Sequence, residues 1–272
     1  MRYRPLGSSA AVVSAVSLNL APNPARPRPA DWVRFIHAAL EHGVSAFEVD
    51  DDAPVVVDGL AQALSAVDRA LVFVSWRLDL ERPGDDRAAS PESLARRVRA
   101  GIARTGLAYL DAVVLDEPVP GALSDEHFAV LDEIRTSGAA RLAGLCGEGD
   151  PIDRYLVSGR FDLLTTAFNV ASSARDRARI QSANSLGMAV MGRRPCCGPV
   201  VDGGAFGWTA QEASLAYALA EPSLASVQIE AGSCGELGRL AAVAERRLPP
   251  GLAARIDTMG FTEPHAELEL RA

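Results

Sequence analysis

Charged and polar side chains follow one apolar run after another in this sequence, and their types suit proton transfer or anion binding. Glu48 and Asp50-Asp51-Asp52 close the run "VSAFEV", Arg77 ends "LVFVSWRL", and Asp116-Glu117 end "LDAVVL". Cys146 with Glu148, Asn169, Arg193-Arg194 and Glu230 stand at equivalent places further on, and Asn19 ends the first run. Glu48 and Asp116 are the candidates for an acid–base pair in a lyase or isomerase that needs no cofactor. The alternative, preferred because ion pairs also perturb carboxylates, is that Glu48 pairs with Arg77 while Asp116 is solvated. The three consecutive aspartates invite a divalent cation, but neighbours in sequence point in different directions and no calcium-loop spacing is present. They read as a solvated acidic loop, and no metal site is expected.

Other groups weigh less. Cys196 and Cys197 are adjacent, which suggests redox chemistry, but in a reduced compartment such cysteines are expected to be packing residues. His37 and His42 fall on an early helix and read as surface groups. Arg96, Arg97, Arg99 and Arg104 are a docking patch or, by default, a solvated helix face. Gly203-Gly204 lack the context of a phosphate-binding glycine loop.

One absence constrains the chemistry more than any of these. The 272 residues include no lysine, so no Schiff base, ammonium proton donor or lysine phosphate clamp is available. A net charge of −8 argues against general nucleic-acid affinity. Four cysteines without paired spacing give neither a disulfide framework nor a zinc site. No apolar run reaches membrane-spanning length, and "MRYRPLGSS" lacks a signal peptide's apolar centre, so the expectation is a reduced, cytoplasmic protein without membrane insertion.

The elements that must position these groups alternate regularly. The apolar runs "VVSAVSLNL", "VSAFEV", "LVFVSWRL", "LDAVVL", "ARLAGL", "FDLLTTAF", "MAVMG" and "LASVQIE" read as strands buried on both faces, hence parallel. Amphipathic helices separate them: "ADWVRFIHAALEHG", with Trp32, Phe35, Ile36, Ala39 and Leu40 on one face, then segments near 54–66, 91–105, 124–137, 151–158, 173–186, 209–220 and 234–246. Eight cycles favour a closed α/β barrel of the (β/α)8 TIM type, in which functional residues sit at the C-terminal ends of strands. The opening 1–13 reads as an N-terminal β-hairpin plugging the barrel's other end. The whole of 1–272 reads as one domain, with an acidic tail at 259–272 expected to be mobile.

The layout resembles the aldo-keto reductase family over essentially the whole chain. The stretches that carry this are "RYRPLGSSAAVVSAVSLNL", "GVSAFEVDDDAPVVVDGLAQAL", "LAYLDAVVLDEP", "LDEIRTSGAARLAGL", "FDLLTTAFNV" and "LAYALAEPSLASVQIEAGS". That family moves hydride from a nicotinamide with a tyrosine acid supported by lysine, aspartate and histidine. The resemblance places the aspartate at Glu48, the tyrosine at Ala53, the lysine at Arg77 and the histidine at Asp116, so all four are changed. Ala53 has no proton to give, and Arg77 stays protonated. A carboxylate at Asp116 about 4 Å from a developing alkoxide opposes it by roughly 4 kcal/mol, on the order of a thousandfold in rate.

The resemblance also places cofactor contacts. Its carboxamide clamp falls on Cys146-Gly147 and Thr165, with Asn169 just after. Arg194 and the helix start near Ser233 would hold a pyrophosphate, and Glu230 would repel a 2′-phosphate while accepting a ribose 2′-OH. The expectation is therefore an inactive reductase-like regulator that binds NAD(H), if any dinucleotide, and acts through partner proteins. It resembles in particular the KidO-type regulators of bacterial cell division, which implies the tubulin-like protein FtsZ and a cell-cycle histidine kinase as partners. The alternatives are the Glu48/Asp116 lyase or isomerase, and a weak NAD(P)H-dependent oxidoreductase with a different acid.

Overall fold

A computed structural model describes residues 1–9, 11–80, 90–116, 118–119 and 121–259. After a short antiparallel hairpin, β1 (Tyr3–Pro5) and β2 (Val12–Ser14), strands and helices alternate. The cycles are β3 (Val16–Leu20) and α1 (Pro29–Glu41), β4 (Ala46–Asp50) and α2 (Pro54–Leu64), β5 (Phe73–Asp79) and α3 (Pro91–Thr105), β6 (Leu110–Asp116) and α4 (Asp125–Thr136). They continue with β7 (Ala140–Cys146) and α5 (Gly149–Leu156), β8 (Leu163–Ala167) and α6 (Ala174–Ser185), β9 (Ala189–Arg193) and α7 (Ala210–Ala220), β10 (Ser226–Ile229) and α8 (Cys234–Val243). Strands β3 to β10 are parallel and close into an eight-stranded barrel, β10 pairing with both β9 and β3. The expected (β/α)8 barrel with an N-terminal hairpin is the observed fold. A further helix, α9 (Pro250–Met259), has no counterpart in the sequence reading, and of the expected tail only Met259 lies within the described residues.

Two apolar layers hold the barrel. The larger lies between the strands' outer faces and the helices and includes Trp32, Phe47, Trp76 and Leu115. The smaller fills the lumen, where Ala46, Phe73, Ala112, Val114, Cys146, Leu163, Ala189 and Met191 meet Leu6 and Val13 of the hairpin. Gly7 makes this plug fit: its φ is +56°, and a Cβ there would come within 2.5 Å of the Ala189 backbone nitrogen.

Because side chains alternate along a strand, the lumen layer fixes what points inward above it. Two residues on from Ala46 stands Glu48, four on from Phe73 stands Arg77, two on from Val114 stands Asp116, and two on from Met191 stands Arg193. The carboxyl ends of the strands therefore carry charge into the barrel mouth. Helix α3 is drawn close to β5 by Gly101, whose missing side chain leaves room for the Trp76 indole; a Cβ would meet the Trp76 ring at 2.5 Å. Gly101→Ala is expected to destabilise the fold by about 1–3 kcal/mol through overpacking, read as a lowered denaturation midpoint.

Candidate functional site

Arg77 sits at the centre of the mouth. Its Nε donates to Asp50 Oδ1 at 2.5 Å and its Nη2 to Asp50 Oδ2 at 3.0 Å, a two-pronged clamp. Glu48 Oε1 lies 3.8 Å from Nη1, and Asp116 Oδ2 lies 3.8 Å from Nε. The expected Glu48–Arg77 pair forms at 3.8 Å, but Arg77 closes first on Asp50, and Asp116, expected to be solvated, is drawn into the same cluster. The register explains it, since Asp50 is level with Arg77 across β4 and β5, whereas Glu48 is level with Ser75. Burial works against the Arg77 charge, but Asp50, Glu48 and Asp116 override it and hold the guanidinium above its ordinary range.

Glu48 is 1% exposed. Burial pushes its carboxyl up; Arg77, then Gln228, favour the charged form, and Asp50 and Asp116 disfavour it. The Gln228 amide faces it electrostatically, yet neither Glu48 oxygen nor Gln228 Nε2 reaches hydrogen-bonding geometry with any described residue. Across the mouth, Arg193 donates to Cys146 Sγ at 2.9 Å and lies 3.9 Å from Asp116 and 3.5 Å from Glu148. Burial, then Glu48 and Asp116, push the Cys146 thiol well up, so it is neutral. Thr165, beside Cys146 in the register of β7 and β8, is fully buried.

Other sequence expectations are corrected by packing. The aspartate run is not a solvated loop. Asp51 accepts from Arg97 Nε at 2.6 Å and Nη2 at 2.8 Å, and Arg97 also donates to the Asp79 carbonyl, so Arg97 is buried rather than part of a solvated face. Arg104 pairs with Asp58. Cys196 and Cys197 are exposed, not packing residues. His37 and His42 are exposed as expected. Glu117 lies outside the described residues. Among the described residues, no group of three or more His, Cys, Asp or Glu side chains could hold a metal ion, and no helix is long and apolar enough to cross a membrane.

Next to the charged centre, a cavity of about 530 Å³ opens over β3, β9 and β10, with Asn19, Arg193, Arg194, Gln211, Gln228 and Glu230 among its lining. Arg194 is half exposed and adopts φ +54°, the described residues' single positive-φ position outside glycine. Asn169 holds that turn: its Nδ2 donates to the Arg194 carbonyl at 3.2 Å, and its Oδ1 accepts from Ala171. Asn169 therefore acts here on the loop. Ser233 is committed too, since its hydroxyl N-caps α8 by accepting the Glu236 amide. Glu236 folds back to accept the Gly232 amide at 2.7 Å, placing a carboxylate on the α8 N-terminus, where an anion would otherwise sit.

Arg193 and Arg194 bring two cations to the cavity edge, and Glu230 adds a carboxylate that accepts from Asn19. Gln228 is the site residue that sequence reading passed over. The alternation in "SVQIE" signals it, because Ser226, Gln228 and Glu230 share one face.

Comparison with known proteins bears on the fold. No family model matches the chain. A curated relative, the NADH-specific methylglyoxal reductase of Escherichia coli, is 26% identical over 214 residues, covering 70% of this chain and 66% of that protein. The chain thus spans a little under two thirds of that relative. An aldo-keto reductase from Bacillus halodurans, in its apo and holo forms, superposes with TM-scores of 0.75 and 0.76 at 17% identity, over 95% of this chain and 96% of that one. The fold is that of the aldo-keto reductases. Within it, Ala53 is buried at the N-cap of α2, and Tyr3, Tyr109, Tyr155 and Tyr217 lie in β1, before β6, in α5 and in α7, none at a barrel strand's C-terminal end.

Two stability outcomes follow. A double-mutant cycle on Arg77 and Asp50 is expected to give a coupling of about 1–3 kcal/mol, larger than the cycle on Arg77 and Glu48. For Glu48, a folded carboxyl raised above its usual value of 4.5 means stability that is present in acid and lost as pH rises through the raised value. Glu48→Gln should therefore raise the melting temperature at about pH 7, with the gain shrinking toward about pH 4.

Proposed function

We propose that this protein is a nicotinamide-dinucleotide-binding barrel of the aldo-keto reductase fold that prefers NAD(H) and does not reduce carbonyls by the usual proton relay, acting instead as a regulator. One contrast carries the reading. The proton-donor position is the buried Ala53 and its neighbouring cation is the clamped Arg77, yet the adjoining cavity keeps Arg193, Arg194, Gln228 and Glu230. The relative's NADH specificity supports the cofactor preference. For partners, the resemblance to cell-division regulators supports FtsZ and a cell-cycle histidine kinase, with NAD(H) occupancy as the signal.

A second reading has its own observation. Glu48 is a buried carboxyl at a strand end whose proton is favoured by burial, so a small dicarbonyl reached from the mouth would find an acid there. The relative's methylglyoxal activity supports this oxidoreductase alternative. The lyase or isomerase reading is weaker, because Arg77 stands 3.8 Å from both Glu48 and Asp116 and neutralises the pair.

The deciding experiment is a fluorescence titration with NADH and NADPH, followed by turnover assays with methylglyoxal and a carbonyl panel. NADH is expected to bind at least about tenfold more tightly than NADPH, a difference of about 1.4 kcal/mol, and Glu230→Lys to narrow that gap. No turnover should exceed the blank. Turnover abolished by Glu48→Gln, with NADH binding intact, would establish the oxidoreductase alternative, and failure to bind either nucleotide would end the sensor reading.

A further inference from the structure

The adjacent thiols of Cys196 and Cys197 carry the next step. Both are exposed, and both line the cavity beside the barrel mouth. They sit on a turn that is fixed at several points. The Cys197 amide donates to the Arg194 carbonyl at 3.1 Å, and Asn169 Nδ2 donates to that same carbonyl at 3.2 Å. Gly198 follows at φ +103°, where an added Cβ would lie 3.0 Å from the Ala171 side chain. The Cys196 thiol faces α7 and donates to the Gln211 carbonyl at 3.8 Å. The other two cysteines are unlike this pair. Cys146 is buried and accepts from Arg193, and Cys234, exposed at the start of α8, has no cysteine beside it in sequence.

Two constraints turn the pair away from closing on itself. Neighbouring Cα atoms across a trans peptide are about 3.8 Å apart, shorter than the roughly 4.4 Å at which unstrained disulfides begin. Exchange with another disulfide also needs a thiolate. Enclosure of the Cys196 sulfur, then Cys197 and Glu236, push its thiol up to about 11. At neutral pH, on the order of one in ten thousand such thiols is ionised. Zinc is unsuited too, because it takes four ligands. Among the described residues, no group of three or more His, Cys, Asp or Glu side chains could hold a metal ion.

We infer that Cys196 and Cys197 form a two-thiol capture site for a trivalent arsenical at the cavity rim. Such a centre is soft, needs only three bonds and exchanges oxygen for sulfur. Both thiols condense with it: two S–H bonds break, two As–S bonds form, and the arsenic oxygen leaves as water with the two protons. Arsenic stays trivalent, so the step needs no oxidant. A protonated thiol is a competent reactant, because its proton goes to the departing oxygen. The third bond of arsenic remains to its own carbon or hydroxyl group, for which the cavity of about 530 Å³ has room. Bridging through arsenic sets the sulfurs further apart than a direct S–S bond does, which relieves the constraint of adjacent Cα atoms. The turn holds both thiols before binding, so the second As–S bond forms within the molecule. This site is independent of the dinucleotide reading.

The test is titration of the reduced full chain with phenylarsine oxide, read by intact mass and by counting free thiols. One arsenical is expected per chain, with the loss of two titratable thiols. The adduct should survive excess monothiol and be released by a small dithiol. Cys196→Ser and Cys197→Ser should each weaken capture by about a hundredfold or more, because a single thiol is left to bind alone. Cys234→Ser should leave capture unchanged. Melting temperatures show that each variant is folded, and Cys196→Ala and Cys197→Ala are second variants expected to give the same loss. If either single variant binds as tightly as the parent, if Cys234→Ser abolishes capture, or if the parent loses one thiol per arsenical, the site is refuted.

Discussion

The two-pronged contact between Arg77 and Asp50 is the interaction on which the barrel mouth depends. Glu48 and Asp50 on β4 and Asp116 on β6 point into a narrow space on either side of β5, and like charges so close would repel in a medium less polar than water. Arg77 stands among them and compensates all three, most directly Asp50. The clamp has a chemical consequence. A guanidinium held by a carboxylate on one side and bordered by two more neither gives up a proton nor turns away to assist another group. The centre of the mouth is a closed ionic lattice, and the Asp51–Arg97 pair extends it outward to α3.

That lattice divides the mouth into two parts with different properties. On the side of β4, β5 and β6, Arg77 draws the carboxylates together, although the Glu48 oxygens keep no hydrogen bond among the described residues. On the side of β9, β10 and β3, amide and hydroxyl groups remain without partners, and the cavity is open. The loop that bounds this open side is itself held under backbone strain at Arg194, through Asn169 and the turn to Cys197. Beside it, Glu236 caps its own helix α8 and places a carboxylate at that N-terminus.

Much of this was legible from residue types alone. Eight apolar runs separated by amphipathic segments specify parallel strands covered by helices, since a strand buried on both faces has no other way to satisfy its neighbours. The strand-end positions of Glu48, Arg77, Asp116 and Arg193 followed from the same pattern, as did the exposure of His37 and His42. Gln228 was overlooked because a single glutamine inside an apolar strand carries no motif. The exposure of Cys196 and Cys197 was misjudged because composition says nothing about the course of a loop.

The sequence by itself determined the fold class and the missing chemistry. Absent lysine excludes any relay that needs a lysine ammonium whatever the packing, because no arrangement supplies an atom that the chain does not contain. Tertiary structure alone decided which charges meet. Asp50 rather than Glu48 takes Arg77 because the register of β4 and β5 sets them level. The Asp51 side chain is covered because α3 brings Arg97 across 46 residues of chain to meet it. Pairing among charges is a matter of a few ångströms in space, and separation along the chain does not encode it.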